Sequence, residues 1–124
     1  MNSSWSQEDI YLVSQRAWEL LMQGRYSESS ILLEGLRTVA PTNPWPGRAL
    51  ALVHLRTGRP DAALHALGDH RDMASRRIRF EALLALGRAA DAAGELAAMR
   101  PNLDPPALQR CNLLVEATRR QALR

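Results

Sequence analysis

The segment Leu20-Leu21-Met22-Gln23-Gly24-Arg25-Tyr26-Ser27-Glu28-Ser29 decides the fold, because a leucine-rich stretch stops at a Gly-Arg pair and a new helical pattern starts directly behind it. The pair returns as Gly58-Arg59 and Gly87-Arg88, 34 and then 29 residues further on, each time between a leucine-rich stretch and one rich in Ala or Ser. A self-similar period of this size marks a stack of supersecondary units, none of which can bury its apolar face alone. Glycine suits the end of a helix because it enters the left-handed region without a steric penalty.

Other positions repeat in register with the glycines. Ala17 and Ala51 fall where the first helix of a pair must approach the second closely, and Leu20 and His54 follow three residues later. After the turn, Ser29, Ala63 and Ala92 take a small-residue position, and Leu33, Leu67 and Leu96 a large apolar one. Two helices cross closely only where a small side chain faces a large one, so this alternation sets the packing. Pro41 stops one helix, Pro60 starts another where its missing N–H is harmless, and Pro105 with Pro106 opens the last. The predicted helices run near 6–23, 26–39, 45–57, 60–69, 74–86, 89–99 and 105–122. Ser6 and Asp9 have the spacing of a capping box for the first helix. In the last, Leu108, Cys111, Leu114 or Val115, Thr118 and Ala122 form a stripe at helical spacing, which suits a terminal capping helix. The expected fold is therefore all-α, an α-solenoid with hairpins near 6–41, 45–69 and 74–100 and a capping helix near 105–122, in a single domain over 1–124.

Composition narrows the function. Ala and Leu dominate and aromatic residues make up 5% of the 124, which favours helix over sheet. No stretch approaches the roughly 18 to 20 apolar residues of a membrane span, and Met1 to Asp9 has neither the basic nor the apolar part of a secretion signal, so a cytoplasmic location is expected. Cys111 is the one cysteine, which excludes an intrachain disulfide; a buried structural thiol is the expectation. All 16 basic residues are arginines, against 13 acidic ones, for a net charge of +3. The densest basic regions are Arg71, Arg76, Arg77 and Arg79, and the tail Arg110, Arg119, Arg120 and Arg124. Asp69, Asp72, Glu81 and Glu116 interleave with them, so solvated helix faces are expected and nucleic acid is not the leading partner.

Taken together, these residues resemble the tetratricopeptide repeat superfamily. The first hairpin carries the resemblance on Ala17, Leu20, Gly24, Tyr26, Leu33, Leu36 and Pro41, with Ser29 in place of the usual alanine. The second keeps Leu50, Ala51, Gly58, Ala63 and Leu67, but has His54 where an aromatic is usual. The third keeps Leu83, Gly87, Ala92 and Leu96 and lacks the terminal proline. The resemblance implies a concave face lined by the first helix of each hairpin. Carried over by distance from each turn glycine, that face comprises Tyr11, Ser14, Trp18 and Leu21, then Trp45, Arg48, Leu52, Leu55 and Arg56, then Ala74, Arg77, Glu81 and Leu84. Periodicity agrees on the first helix, where Tyr11, Trp18 and Met22 share one face and Ile10, Val13, Ala17 and Leu20 the other. Such a groove suits an amphipathic helix or extended peptide with acidic flanks.

The run from Ala17 to Leu21, with Gly24 and the stretch Ile31 to Pro41, looks most like the small chaperones of bacterial type III secretion. It is closest to the Y-type export-apparatus chaperones, with the needle-subunit chaperones as runner-up. That resemblance implies a cytoplasmic protein of a Gram-negative bacterium that holds a small helical secretion component in a 1:1 heterodimer and self-associates without it. A generic scaffold binding a peptide or itself is the alternative. Catalysis is not expected. His65, Asp69, His70 and Asp72 are the one candidate constellation, yet Gly68 ends the helix between them and no further ligand completes a metal site. No phosphate loop, nucleophile elbow or zinc-protease motif is present, and no cofactor is expected.

Overall fold

The computed structural model describes residues 5–123; residues 1–4 and Arg124 of the basic tail lie outside the described residues. Among the described residues the chain forms seven α-helices and no strand: α1 (Gln7–Met22), α2 (Tyr26–Val39), α3 (Trp45–Arg56), α4 (Pro60–Leu67), α5 (Met73–Ala85), α6 (Ala89–Met99) and α7 (Pro105–Ala122). A short 3-10 turn, Arg100–Asn102, links the last two. Helix ends fall within two residues of the sequence expectation. The capping box forms: Asp9 N donates to Ser6 Oγ at 3.0 Å and Ser6 N to Asp9 Oδ2 at 2.8 Å.

Each hairpin closes through the same turn. Gly24, Gly58 and Gly87 adopt φ of 77°, 74° and 74°. The next residue's N–H then reaches back five positions, from Arg25 to Leu20 O at 2.9 Å, Arg59 to His54 O at 2.7 Å and Arg88 to Leu83 O at 2.9 Å, and the glycine N–H reaches back three, to Leu21, Leu55 and Leu84 O. This double bond pattern satisfies carbonyls that a helix end otherwise leaves open. The arginine that follows is the N-cap of the next helix, with ψ of 68°, 68° and 70°. Arg25 and Arg88 fold onto Glu28 and Asp91 in the first turn of that helix. These pairs are exposed and worth at most about 1 kcal/mol each; the backbone turn, not the charge, sets the geometry.

Small residues then allow the paired helices to approach. Ala17 and Ser29 are fully buried against each other, and the Ser29 hydroxyl donates to Ala17 O at 2.8 Å. The hydroxyl that distinguishes Ser29 from Ala63 and Ala92 is therefore satisfied by the facing helix. In the second pair Ala51 and Ala63 are both buried. Gly47 comes closer still, since a Cβ there would lie 2.8 Å from Ala66 O. In the third pair Phe80 occupies the position of Ala17 and Ala51 and is itself buried.

The core divides in two. One cluster, with Leu21, Leu33, Leu36, Leu50, Val53 and Leu67 at its centre, joins α1 to α4 and takes Ala82 from α5. The other, with Phe80, Leu83, Leu96, Met99 and Val115, joins α5, α6 and α7, and Leu64 touches both. Helix α7 buries Val115 and not Leu114, which resolves the alternative left open by periodicity; Ala122 is exposed.

The spacing of 29 comes from α4, eight residues long against fourteen in α2, since the links 40–44 and 68–72 are equal in length. It is at the second of these links that the arginines depart from expectation. Arg79 is 8% exposed and donates to Gly68 O at 3.2 Å, His70 O at 2.7 Å and Glu95 Oε1 at 3.3 Å. Arg76 bonds Glu95 Oε1 and Arg71 O at 3.2 and 3.0 Å. These two arginines are thus structural ties between the α4–α5 link and α6, not solvated charges. A guanidinium presents several donors in a fixed plane, which lets one side chain satisfy two carbonyls and a carboxylate.

His54, at the position filled by buried Leu20 and Leu83, carries a buried Nδ1 with no hydrogen-bond partner. Burial, followed by the charge of Arg59, pushes its pKa below 6.5, with Glu34 and Asp61 opposing and Arg37 adding to the shift.

Two predictions follow from this packing. Gly47→Ala lowers unfolding free energy by about 1–3 kcal/mol through collision with the α4 backbone, whereas Gly94→Ala, with open space at its Cβ, raises it by about 0.5–1 kcal/mol. Urea unfolding of both checks this, and equal signs would contradict it. For His54, the folded chain resists a proton that the unfolded chain accepts. Its neutral form therefore adds no penalty above pH about 6.5, and stability falls as pH drops from there toward the lower folded value. His54→Leu should flatten that fall and add about 1 kcal/mol by removing the unpartnered nitrogen; an unchanged pH profile would contradict the assignment.

Candidate functional site

The odd-numbered helices touch one another along the array, α1 on α3, α3 on α5 and α5 on α7, while each even helix packs chiefly on its chain neighbours. Residues at equal distances before the turn glycines therefore share one side of the molecule. That side is where the candidate groove residues fall, and the structure sorts them into three groups.

On α1, Tyr11 and Trp18 are 63% and 42% exposed, and Met22 is exposed on the same face. These are large apolar side chains with no covering element. Spacings of seven and four residues bring them into one stripe, while Ala17 and Leu20 face the core. On the adjoining α3, Trp45, Leu52 and Leu55 are half-buried, each packed on the main cluster with part of its surface left open. The Trp45 backbone N–H donates to Asn43 Oδ1 at 3.0 Å, which fixes the start of α3.

A second group is committed to the fold. Leu21 is fully buried within the main cluster and offers no surface to a partner, which corrects its place in the groove. It faces inward because it stands on the same side of α1 as Ala17. Leu84 is half-buried against the second cluster, as Leu52 and Leu55 are against the first, and keeps part of its surface open; Ser14 is half-buried. Arg48 is held by Asp72, Nη1 to Oδ2 at 3.1 Å. Burial disfavours the Asp72 carboxylate, but hydrogen bonds from Ser75 Oγ and N, with Arg48 beside it, outweigh that and hold its pKa below 3.8. Asp72 is also the N-cap of α5. Arg48 thus anchors the second pair to the third.

The third group is open and, apart from Ala74, charged. Arg56, Ala74, Arg77 and Glu81 are exposed. Arg77 and Glu81 border a cleft between α5 and α7 whose other wall is Ala107, Arg110, Cys111 and Leu114. These α7 residues were absent from the sequence-derived groove because a capping helix was expected only to close the core. Cys111 corrects another expectation: it is half-buried at the cleft and not a sealed core thiol. The amphipathic mismatch of α7 was the available signal, since Leu113 and Leu114 cannot both face inward with Val115 and Thr118.

Among the described residues no group of three His, Cys, Asp or Glu side chains is placed to hold a metal ion. Asp72 of the His65, Asp69, His70 and Asp72 constellation is engaged as a helix cap. Among the described residues no helix is long and apolar enough to cross a membrane. Compared with protein-family models, curated proteins and solved structures, the chain finds no match.

Proposed function

We propose that this chain is a non-catalytic binding module that covers an amphipathic helix of a small protein on the face formed by α1 and α3. The observation that carries the reading is the open stripe Tyr11, Trp18 and Met22, beside the half-buried Leu52 and Leu55 of the next odd helix. Exposed contiguous apolar surface on a folded protein marks an interaction site more often than an accident of packing. Trp and Tyr are suited to anchoring a partner, because each buries a large area while losing little rotamer freedom. The partner's apolar side chains at i, i+3, i+4 and i+7 would enter between the two helices.

The specific role we favour is that of a cytoplasmic type III secretion chaperone in a Gram-negative bacterium, binding an export-apparatus component or, as runner-up, a needle subunit, one to one. It rests on the resemblance of Ala17 to Leu21, Gly24 and Ile31 to Pro41. In that role the helix stack keeps an aggregation-prone helix soluble until export. The same open stripe predicts self-association of the chain when its partner is absent.

Co-expression with small helical proteins encoded beside it tests the role; a soluble 1:1 complex is expected. Within such a complex Trp18→Ala and Tyr11→Ala should each weaken binding by about tenfold or more without loss of helicity. Ile31→Ala, on the exposed side of α2, should leave it unchanged. Normal affinity in both α1 variants sinks the assignment of the face, and a freely soluble monomer that binds no apolar dye counts against the role.

A further inference from the structure

The cleft between α5 and α7 has a volume of about 340 Å³. Phe80 and Met99, both buried, form its floor, and Leu103 and Leu114 stand at its sides. Arg77 and Arg110 stand at the rim. Among the described residues neither guanidinium has an ion-pair or hydrogen-bond partner, whereas eight other arginines each reach a carboxylate. Glu81 also faces the cleft, so the rim keeps a net positive charge.

The charge of the chain is uneven in the same direction. Residues 73–123 hold eight arginines against five acidic residues, while residues 5–72 hold seven against eight. An apolar floor beneath unmatched guanidinium groups fits an apolar side chain accompanied by a carboxylate. A second copy of the chain packed through the same cleft fits poorly, because it would set Arg77 and Arg110 against their own counterparts, like charge on like charge.

We infer that this cleft is a second docking point, which takes a leucine- or phenylalanine-sized side chain followed within one helical turn by an acidic residue of the bound partner. The inference rests on the reading of the odd-helix side as the partner-binding side. It also fixes the partner's direction: the apolar part lies over α1 and α3, and the acidic end reaches α5 and α7.

Cys111, the one cysteine of the chain, lines the cleft and reports its occupancy. The probes are a synthetic amphipathic helical peptide with leucines at heptad spacing and glutamates beside them, the same peptide with glutamine for glutamate, and a short oligodeoxynucleotide. At ten times its Kd the glutamate peptide should slow maleimide labelling of Cys111 by about tenfold. The double variant Arg77→Gln/Arg110→Gln should weaken the glutamate peptide by about tenfold, or about 1.4 kcal/mol, and leave the glutamine peptide unchanged. Trp18→Ala should weaken both peptides equally, which separates the two sites. If Trp18→Ala has no effect while Cys111 is still protected, the α1 face fails and the cleft stands. Undiminished labelling of Cys111, equal loss for both peptides in the arginine variant, no binding at about 1 mM, or stronger protection by the oligonucleotide than by peptide each overturns the inference.

Discussion

A glycine in the left-handed conformation, placed where each odd helix ends, is the constraint from which the rest of the molecule follows. At Gly24, Gly58 and Gly87 the chain reverses within three residues and the same pair of backbone bonds closes the helix end. Because the reversal is identical, the small residue at the crossing and the large one beyond it stand at the same distance from the glycine in every pair. Ser29, Ala63 and Ala92 lie in the crossing, and Leu33, Leu67 and Leu96 fill the space beyond it. The odd helices consequently lie along one side. A surface property repeated at a fixed offset becomes a property of that side as a whole.

The third pair departs from the first two, and the departure has a physical cause. Helix α4 is six residues shorter than α2 and the link behind it contains no proline, so α5 is held instead by side chains from three helices: Arg48 to Asp72, Arg79 to the carbonyls of Gly68 and His70, and Arg79 with Arg76 to Glu95. A buried ion pair adds little net stability against an apolar alternative, but removing one partner leaves an uncompensated charge and costs about 3–5 kcal/mol. This network therefore acts mainly to specify one placement of α5. The consequence for the odd-helix side is a change of chemistry along its length, from aromatic and aliphatic at α1 and α3 to charged at α5 and α7.

Much of the fold was legible because its determinants are local. Glycine turns, helix caps and the small-large alternation depend on residues within one hairpin, and Ser6, Asp9, Gly24, Ala17 and Leu33 announce themselves by type and spacing. The candidate face was legible in part for the same reason: Tyr11, Trp18 and Met22 share a stripe on one helix. Long-range pairing was not legible. Nothing in the cluster Arg71 to Arg79 distinguishes buried Arg79 from exposed Arg77, since the difference lies in whether Glu95 and the Gly68 and His70 carbonyls stand opposite. Leu21 reads as a groove residue by offset and is drawn into the core by the way α2 crosses α1. The α7 wall of the cleft depends on which of two adjacent residues, Leu114 or Val115, turns inward, and periodicity alone left that choice open.

What unites these observations is a stack whose outer helices complete the core while part of its odd-helix side stays uncovered. Hydroxyl-radical footprinting of the chain, alone and in complex with a co-expressed helical partner, tests this most directly. Tyr11, Trp18 and Met22 all oxidise readily when solvent reaches them, and Ile31 on the opposite side serves as the internal reference. The account predicts that the three lose most of their reactivity in the complex while Ile31 keeps its own. Unchanged oxidation of the three in a complex that protects Ile31 would contradict it.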